Sequence, residues 1–213
     1  MCLPPLERGF YQRPTVEVAR DLLGKLLVRR FPDGLVAARL TEVEAYLGVS
    51  DRACHTFGGR RTPRTEAMWG PAGHLYVYFV YGMHHCANVV TRAVDEPEAV
   101  LLRGALAVCG EALIAARRGA HLGGDLLTGP ARLCQGLGID RTLNATDLTN
   151  ADELWLAADA VPIPSAAVLA MPRVGVGYAG EAASWPLRFV VAGAASLGGR
   201  PAVREAGGGG ATH

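Results

Sequence analysis

The chain contains 213 residues, of which 50% are hydrophobic and 19% are charged, and its formal net charge is +1. A chain of this length and hydrophobicity can bury a substantial core, and it suits one domain better than two. No apolar run approaches the ~20 residues that span a bilayer, and the start MCLPPLERGF lacks the regions of a signal peptide, so we expect a cytoplasmic globular protein without membrane association.

The first predicted elements are a helix and a hairpin. The helix is predicted over RPTVEVARDLLG, with Thr15 as its N-cap and Gly24 as its stop. The hairpin is predicted where Pro-Asp-Gly separates KLLVRRF from LVAARLTEVEAYLG. Residues 48–73 contain many Gly, Pro, Arg and hydroxyl side chains without periodicity, so we expect a functional loop there.

The second half of the chain is predicted to be richer in strands than in helices. Three β-rich runs are HLYVYFVYGM, HCANVVTRAV and AVLLRGALAV, and the first two meet near Tyr81. Helices are predicted over GEALIAARRG and TGPARLCQGLG, the second with Thr128 as its N-cap. Closing strands are predicted over RVGVGYAG and PLRFVVAG.

These elements predict one α+β domain over residues 1–205, built on antiparallel strands with peripheral helices. Residues 206–213 are a Gly-rich tail that we expect to be disordered. The five cysteines are widely spaced without a C-x-x-C pair, which indicates neither a disulfide framework nor a structural zinc site. Lys25 is the only lysine, so a hydrolysis here would use water rather than an amine nucleophile.

The run EVEAYLG carries an unusual polar face. A period of two sends Glu42, Glu44 and Tyr46 to one side of the strand and Thr41, Val43, Ala45 and Leu47 to the other. Residues two apart lie roughly 6.6 Å from each other, which is compatible with a paired-carboxylate hydrolase. For this run alone, a solvated polar strand face is the plainer interpretation.

The run HTFGGRRTPR is the most basic part of the predicted loop. Arg60, Arg61 and Arg64 accompany Thr62, and no acidic residue occurs over residues 52–65. Positive charge together with hydroxyl and backbone donors suits phosphates better than a neutral sugar. A solvated basic loop is the alternative.

The run HLYVYFVYGMHHCAN is rich in aromatic residues. Tyr76 and Tyr78 share one strand face, and Tyr81 falls at the turn, where it would be exposed. Such a strand is more often part of a core than a stacking platform. The triplet His84–Cys86 invites a metal interpretation, but neighbours on a strand point to opposite faces and no further ligand set converges, so we predict no metal.

Together these features suit a nucleic acid base, which is flat and attached to phosphates. Chemistry on a base in duplex DNA requires extruding that base into a pocket, while another group fills the gap. Tyr81 at a hairpin tip is suited to be that wedge.

The chain closely resembles the alkyladenine (3-methyladenine, methylpurine) DNA glycosylase family from about residue 7 to residue 192. The motifs, in order, are TEVEAYLG, CHTFGGRRTPR, LYVYFVYGMHHCAN, VLLRGAL, TGPARLCQGLGI and RVGVGYAGEAASWPLRF. The resemblance implies a single domain around a curved antiparallel sheet, with a protruding hairpin that intercalates into DNA. It also implies a monomeric, monofunctional glycosylase that needs no cofactor and acts on double-stranded DNA containing 3-methyladenine, 7-methylguanine, hypoxanthine or ethenoadenine.

The resemblance also implies catalytic roles. Glu44 would be the base that activates water for attack on the deoxyribose C1′. Arg103 and the Val174 carbonyl would help to hold this water. Glu42 matches no catalytic role known in the family.

Base recognition is implied for four residues. Tyr46 and His55 would stack on one face of the flipped base and Tyr78 on the other, with the His55 amide able to donate to the base edge. Asn88 would crowd the minor-groove edge and disfavour the 2-amino group of normal guanine.

DNA contacts are implied for the hairpin tip and the basic loop. Tyr81 would intercalate from the minor groove, Met83 would lie near the opposite base, and Arg60, Thr62 and Arg64 would contact phosphates. The chain departs from a familiar mammalian form at His84 and His85, where that form has aromatic residues, so contacts behind the tip could differ. It also lacks a long basic N-terminal extension, so we expect modest affinity for undamaged DNA.

Two other classes of function stay open. A carbohydrate hydrolase with Glu42 and Glu44 as an acid/base pair would leave the basic loop and Tyr81 unused. A lesion-binding protein without catalysis would keep the aromatic pocket but would not need Glu44.

Overall fold

One antiparallel sheet organises the part of the chain that the computed structural model describes, which is residues 3–122, 125–150 and 152–193. The strands are β1 (Leu26–Phe31), β2 (Gly34–Tyr46), β3 (Leu75–Val80), β4 (His84–Thr91), β5 (Glu98–Cys109), β6 (Leu154–Ala157), β7 (Val168–Met171) and β8 (Arg188–Val191). The α-helices are α1 (Arg8–Tyr11), α2 (Thr15–Leu22), α3 (Glu111–Arg118) and α4 (Pro130–Gly136). Short 3₁₀ helices cover Gly48–Ser50, Phe57–Gly59, Glu66–Trp69, Arg141–Leu143, Ser165–Ala167 and Gly177–Ser184.

The sheet curls around its longest strand, β2. The strand order is β3-β4-β5-β2-β1-β6, and β8 pairs with both β2 and β7. One edge of β2 pairs with β5, while the other pairs first with β1 and then, over residues 42–44, with β8. The helices lie at the periphery, which confirms the predicted α+β fold class. Within the described ranges, no helix is long and apolar enough to cross a membrane.

Two β-bulges set which side chains of β2 and β5 face the core. Leu40 pairs with Ala105 and Glu42 with Gly104, so Thr41 is an extra residue on β2. Val43 then pairs with Leu102, which leaves Arg103 as an extra residue on β5. Leu40, Val43 and Ala45 all belong to the main core cluster, so strict alternation fails at Thr41 and holds from Val43 onward.

Most of the predicted elements are confirmed. The β1–β2 hairpin closes with Phe31 opposite Gly34, and strands β3, β4 and β5 form an antiparallel meander. Both helix N-caps were wrong. Thr15 is the first helical residue of α2, and its hydroxyl contacts Thr91 and Glu98 instead of capping. The cap of α4 is Gly129, because the backbone of Thr128 forms a bridge with β5.

The predicted strand RVGVGYAG was also wrong. It forms a turn that leads into the 3₁₀ helix Gly177–Ser184. Gly175 and Gly180 have φ angles of 75° and 61°, which an extended strand does not allow. The short strands β6 and β7 were missed, and the tail over residues 206–213 lies outside the described residues.

Candidate active site

A cavity of about 410 Å³ opens between the sheet and the loop that follows β2. The two strand faces predicted to be polar or aromatic converge on it from β2 and β3. Its wall also includes residues of β4 and β5, the start of α4 and the turn at Val174. The residues of the cavity wall that were predicted for function are Tyr46, His55, Arg64, Tyr78, Tyr81, Asn88, Arg103 and Val174.

Glu44 lies behind this wall and has no exposed surface. Its Oε1 accepts a hydrogen bond from the Val174 N–H at 2.8 Å and lies 3.4 Å from Nη1 of Arg103. Its Oε2 accepts a hydrogen bond from the Tyr46 hydroxyl at 2.8 Å. The carboxylate is therefore held by three residues that themselves line the cavity. At Val174 the observed contact uses the N–H, whereas the predicted role uses the carbonyl.

The environment makes Glu44 a stronger base than a carboxylate in water. Burial raises the pKa of Glu44, and the Arg103 cation, the Val174 N–H and the Tyr46 hydroxyl each lower it in part. Burial and the neighbouring Glu44 also raise the pKa of the Tyr46 phenol, so this hydroxyl keeps its proton and donates a hydrogen bond to the carboxylate. A buried carboxylate with a raised pKa beside a cavity is a candidate general base.

The second carboxylate of the polar face has a different environment. One oxygen of Glu42 accepts hydrogen bonds from Arg103 at 2.9 Å and from Arg188 at 3.0 Å. Arg103 therefore bridges Glu42 and Glu44, and the bulge on β5 places it between them. Glu42 acts as the anchor of Arg103.

The aromatic residues form a contiguous cluster. Nδ1 of His55 lies 2.9 Å from the Tyr76 hydroxyl. The His55 ring meets the Tyr78 ring edge to face, with centroids 4.6 Å apart. At this separation no base fits between the two rings, so His55 and Tyr78 would have to move apart, and one of them to turn, before a base could stack between them. Burial, together with Arg64 and Arg60, lowers the pKa of His55 to about 4, so the imidazole is neutral at pH 7.

Asn88 forms part of the cavity wall on β4. It is buried and lies opposite Tyr76 in the β3–β4 register. Its Nδ2 donates to the Tyr76 carbonyl at 3.1 Å, which fixes the plane of the amide against the cavity. A rigid polar group in this position can exclude ligands by shape.

The β3–β4 hairpin ends in a three-residue turn between Val80 and His84. Tyr81 at this turn is 87% exposed and has a φ of 53°, which is uncommon for a residue with a side chain. Met83 is 69% exposed beside it. The fold gains little from two large apolar side chains in water, so their placement favours a role outside the core.

The arginines of the basic loop divide into two kinds. Arg61 forms ion pairs with Glu66 at 2.6 Å and Asp95 at 2.9 Å, so it fastens the loop to the domain. Arg60 is exposed and makes no ion pair within the described part of the chain. Arg64 is also exposed, and its guanidinium lies 5.3 Å from the centre of the Tyr78 ring. Thr62 is half-buried and its N–H donates to the Thr65 hydroxyl.

Sequence reasoning missed an ion pair beneath the site. Asp51 and Arg173 are both buried, and Arg173 stacks on the ring of Tyr46. No sequence pattern links two residues that are 122 positions apart. The metal interpretation of His84–Cys86 gains no ligand set, because residues 3–122, 125–150 and 152–193 bring no three His, Cys, Asp or Glu side chains into a metal-binding group.

Comparisons with known proteins agree on one family. The family model described as methylpurine-DNA glycosylase matches residues 9–195. A relative from Methanocella arvoryzae is 45% identical over 188 residues, which cover 88% of this chain and 92% of the relative. A relative from Desulfitobacterium hafniense is 44% identical, and the match covers 86% of this chain and 93% of the relative. A relative from Streptomyces avermitilis is also 44% identical, and the match covers 87% of this chain and 86% of the relative. All three are named "Putative 3-methyladenine DNA glycosylase".

Proposed function

Because the chain belongs to the methylpurine-DNA glycosylase family, we propose that it flips damaged purines out of duplex DNA and hydrolyses their N-glycosidic bond with water. 3-Methyladenine is the first expected substrate, since the relatives are named for it. Hypoxanthine, ethenoadenine and 7-methylguanine are the further candidates. The observation that carries the proposal is a buried Glu44 held among three groups of the cavity wall.

Glu44 would act as the general base. As the bond between C1′ and the purine nitrogen breaks, a water oxygen bonds to C1′ and its proton passes to Glu44. 3-Methyladenine and 7-methylguanine carry a positive charge in the nucleotide and depart as neutral bases, so their release needs a base more than an acid. Hypoxanthine and ethenoadenine are uncharged there and would depart as anions that take up a proton from water. The negative carboxylate would also stabilise the positive charge that develops on the sugar. Because Glu44 has no exposed surface, substrate binding would have to admit one water molecule beside it.

The aromatic cluster would bind the flipped base. Tyr46, His55 and Tyr78 present π-faces, which attract a cationic ring more strongly than a neutral one. The low pKa of His55 supports this role, because a neutral imidazole does not repel a cationic purine at pH 7. Asn88 would disfavour the 2-amino group of guanine by its fixed position in the wall.

The exposed residues around the cavity would hold the DNA. Tyr81 would fill the gap left by the flipped base, with Met83 near the opposite base. Arg60, Arg64 and Thr62 would contact phosphates. Bases would then be recognised in the cavity, while the duplex would be held through its backbone.

A panel of duplexes tests this function directly. Each duplex carries one of 3-methyladenine, 7-methylguanine, hypoxanthine or ethenoadenine, and base release is measured in single turnover with excess protein. We expect release from at least one duplex and no β-elimination of the abasic strand, because no lysine lies at the cavity to form a Schiff base. Tight binding without release would favour the lesion-binding alternative. Cleavage of a chromogenic glycoside would favour the carbohydrate hydrolase.

A further inference from the structure

Asp51 and Arg173 form an ion pair that is closed off from solvent on both sides. The pairing is bidentate, since both guanidinium Nη atoms of Arg173 bond to the carboxylate, Nη2 at 2.9 Å from Oδ1. Taking two charges out of water is costly, and a fold can usually replace such a pair with apolar side chains at no loss of stability. Its position next to the cavity makes it a candidate for a role in function as well as in stability.

The pair ties together three segments that surround Glu44. Arg173 donates to the carbonyls of Ala45 on β2 and Ala182 in the last 3₁₀ helix. Asp51 accepts from the N–H groups of Leu47 and Ala53. It therefore also fixes the start of the loop that carries His55.

Both hydrogen-bond donors of Glu44 depend on these segments. Val174 directly follows Arg173, so the orientation of its N–H follows from where Arg173 is anchored. The Arg173 guanidinium carbon lies 4.8 Å from the centre of the Tyr46 ring, and the hydroxyl of that ring is the second donor. The Arg173 guanidinium thus fixes the backbone at Val174 and the orientation of the Tyr46 ring, which are the two hydrogen-bond donors to Glu44.

We propose that the Asp51–Arg173 pair is a positioning device for the catalytic carboxylate, holding Val174 and Tyr46 so that both donate to Glu44. This inference rests on the proposed role of Glu44 as general base. Neither Asp51 nor Arg173 lines the cavity, so they act through Val174 and Tyr46 rather than on the substrate.

Arg173→Lys tests the proposal, because lysine keeps the charge but loses the planar fork and the stacking on Tyr46. We expect the single-turnover rate at pH 7 to fall at least ~10-fold, while affinity for the lesion duplex stays within about threefold. The acidic limb of the pH–rate profile should move to higher pH, since hydrogen bonds to an ionised carboxylate stabilise its charge and both would weaken. The variant leaves the other charged and titratable groups that face Glu44 in place. These groups are Arg103, Glu42, Tyr46, Tyr78 and Cys86.

Asp51→Asn is the second variant, and it keeps the shape and one acceptor oxygen at position 51. It should lower the single-turnover rate at pH 7 as Arg173→Lys does. Loss of the Asp51 charge leaves the Arg173 cation unpaired near Glu44, which by itself moves the acidic limb to lower pH, so the limb is compared only between Arg173→Lys and Arg39→Lys. The double variant should lose less than the product of the two single losses, because both changes disrupt one unit.

Arg39→Lys is the matched control. Arg39 lies on β2, the strand that also carries Glu44, and forms a buried ion pair with Asp159 at 2.6 Å. This variant should lower the melting temperature without moving the acidic limb. If Arg173→Lys folds, as judged by circular dichroism, and leaves the acidic limb where Arg39→Lys leaves it, the positioning role is wrong. It is also wrong if folded Asp51→Asn keeps the wild-type rate at pH 7. If the wild-type protein releases no base from any duplex, the proposed function itself fails.

Discussion

Glu44 and the tip residue Tyr81 are opposite extremes of exposure on neighbouring parts of one sheet. Glu44 has no exposed surface and is held by a hydroxyl, a backbone N–H and a guanidinium. Tyr81 is 87% exposed at the end of a hairpin. The residue proposed for chemistry has all its contacts supplied by the protein, whereas the residue proposed for DNA recognition has its contacts left for the partner to supply. A catalytic group works best when the protein fixes it before the substrate binds, as the contacts of Glu44 would do. A group that recognises DNA can stay exposed until the partner arrives, as Tyr81 is.

Replacing the buried carboxylate should have the largest effect. Glu44→Gln keeps the shape of the side chain but cannot accept a proton from water, so single-turnover release should fall by at least ~10²-fold. Binding of the lesion duplex should survive, because the cavity wall is unchanged and a negative charge near phosphates is removed.

Glu42→Gln is the control for this prediction. It keeps an acceptor for Arg103 and Arg188 and should retain most of the activity. A collapse in Glu42→Gln alone would mean that the base is assigned to the wrong carboxylate. A collapse in both variants would restore the paired-carboxylate hydrolase as a rival.

The exposed extreme should give a smaller effect that depends on the substrate. Tyr81→Ala should lower release from a lesion in a stable base pair by roughly 10-fold, because extruding such a base costs a few kcal/mol that the wedge helps to offset. The loss should be smaller when the same lesion is mismatched. Equal losses on the two duplexes, measured in single turnover, would argue against a wedge.

The two extremes also differ in how far the sequence could predict them. The alternation in EVEAYLG placed Val43 and Ala45 in the core and Glu44 opposite, and the turn at Tyr81 followed from the adjacent Gly82 between two β-rich runs. Neither pattern contains the bulge that inserts Arg103, because a bulge depends on how two strands pair.

The contacts that hold Glu44 were out of reach for the same kind of reason. Apolar residues alternate with polar ones and glycines in RVGVGYAG, which imitates a strand, yet the segment turns and delivers the Val174 N–H to Glu44. Arg173 and Asp51 are ordinary polar residues in sequence and become a buried pair only through the tertiary fold.

Asn88 lies between the two extremes, since it is buried but faces the cavity. Asn88→Ser should shorten the side chain that the Tyr76 carbonyl holds in place, and release of guanine-like bases should rise severalfold relative to 3-methyladenine. Competition between the two duplexes in one reaction measures this ratio. A uniform loss on every substrate would make Asn88 a structural residue and place the filter elsewhere.

The smallest effect should come from the basic loop. Two neighbouring arginines there differ in the same way as Glu44 and Tyr81, because one is held by protein contacts and the other is exposed. Arg60 is exposed and free of ion pairs within the described residues, whereas Arg61 is already paired with Glu66 and Asp95. If Arg60 neutralises one phosphate, Arg60→Ala should reduce the slope of log affinity against log salt concentration by about one unit. Arg61→Ala should leave the slope nearly unchanged, because its charge is already neutralised within the protein. Titration of a fluorescent duplex at several salt concentrations measures both slopes, and an unchanged slope in Arg60→Ala would remove this arginine from the DNA interface.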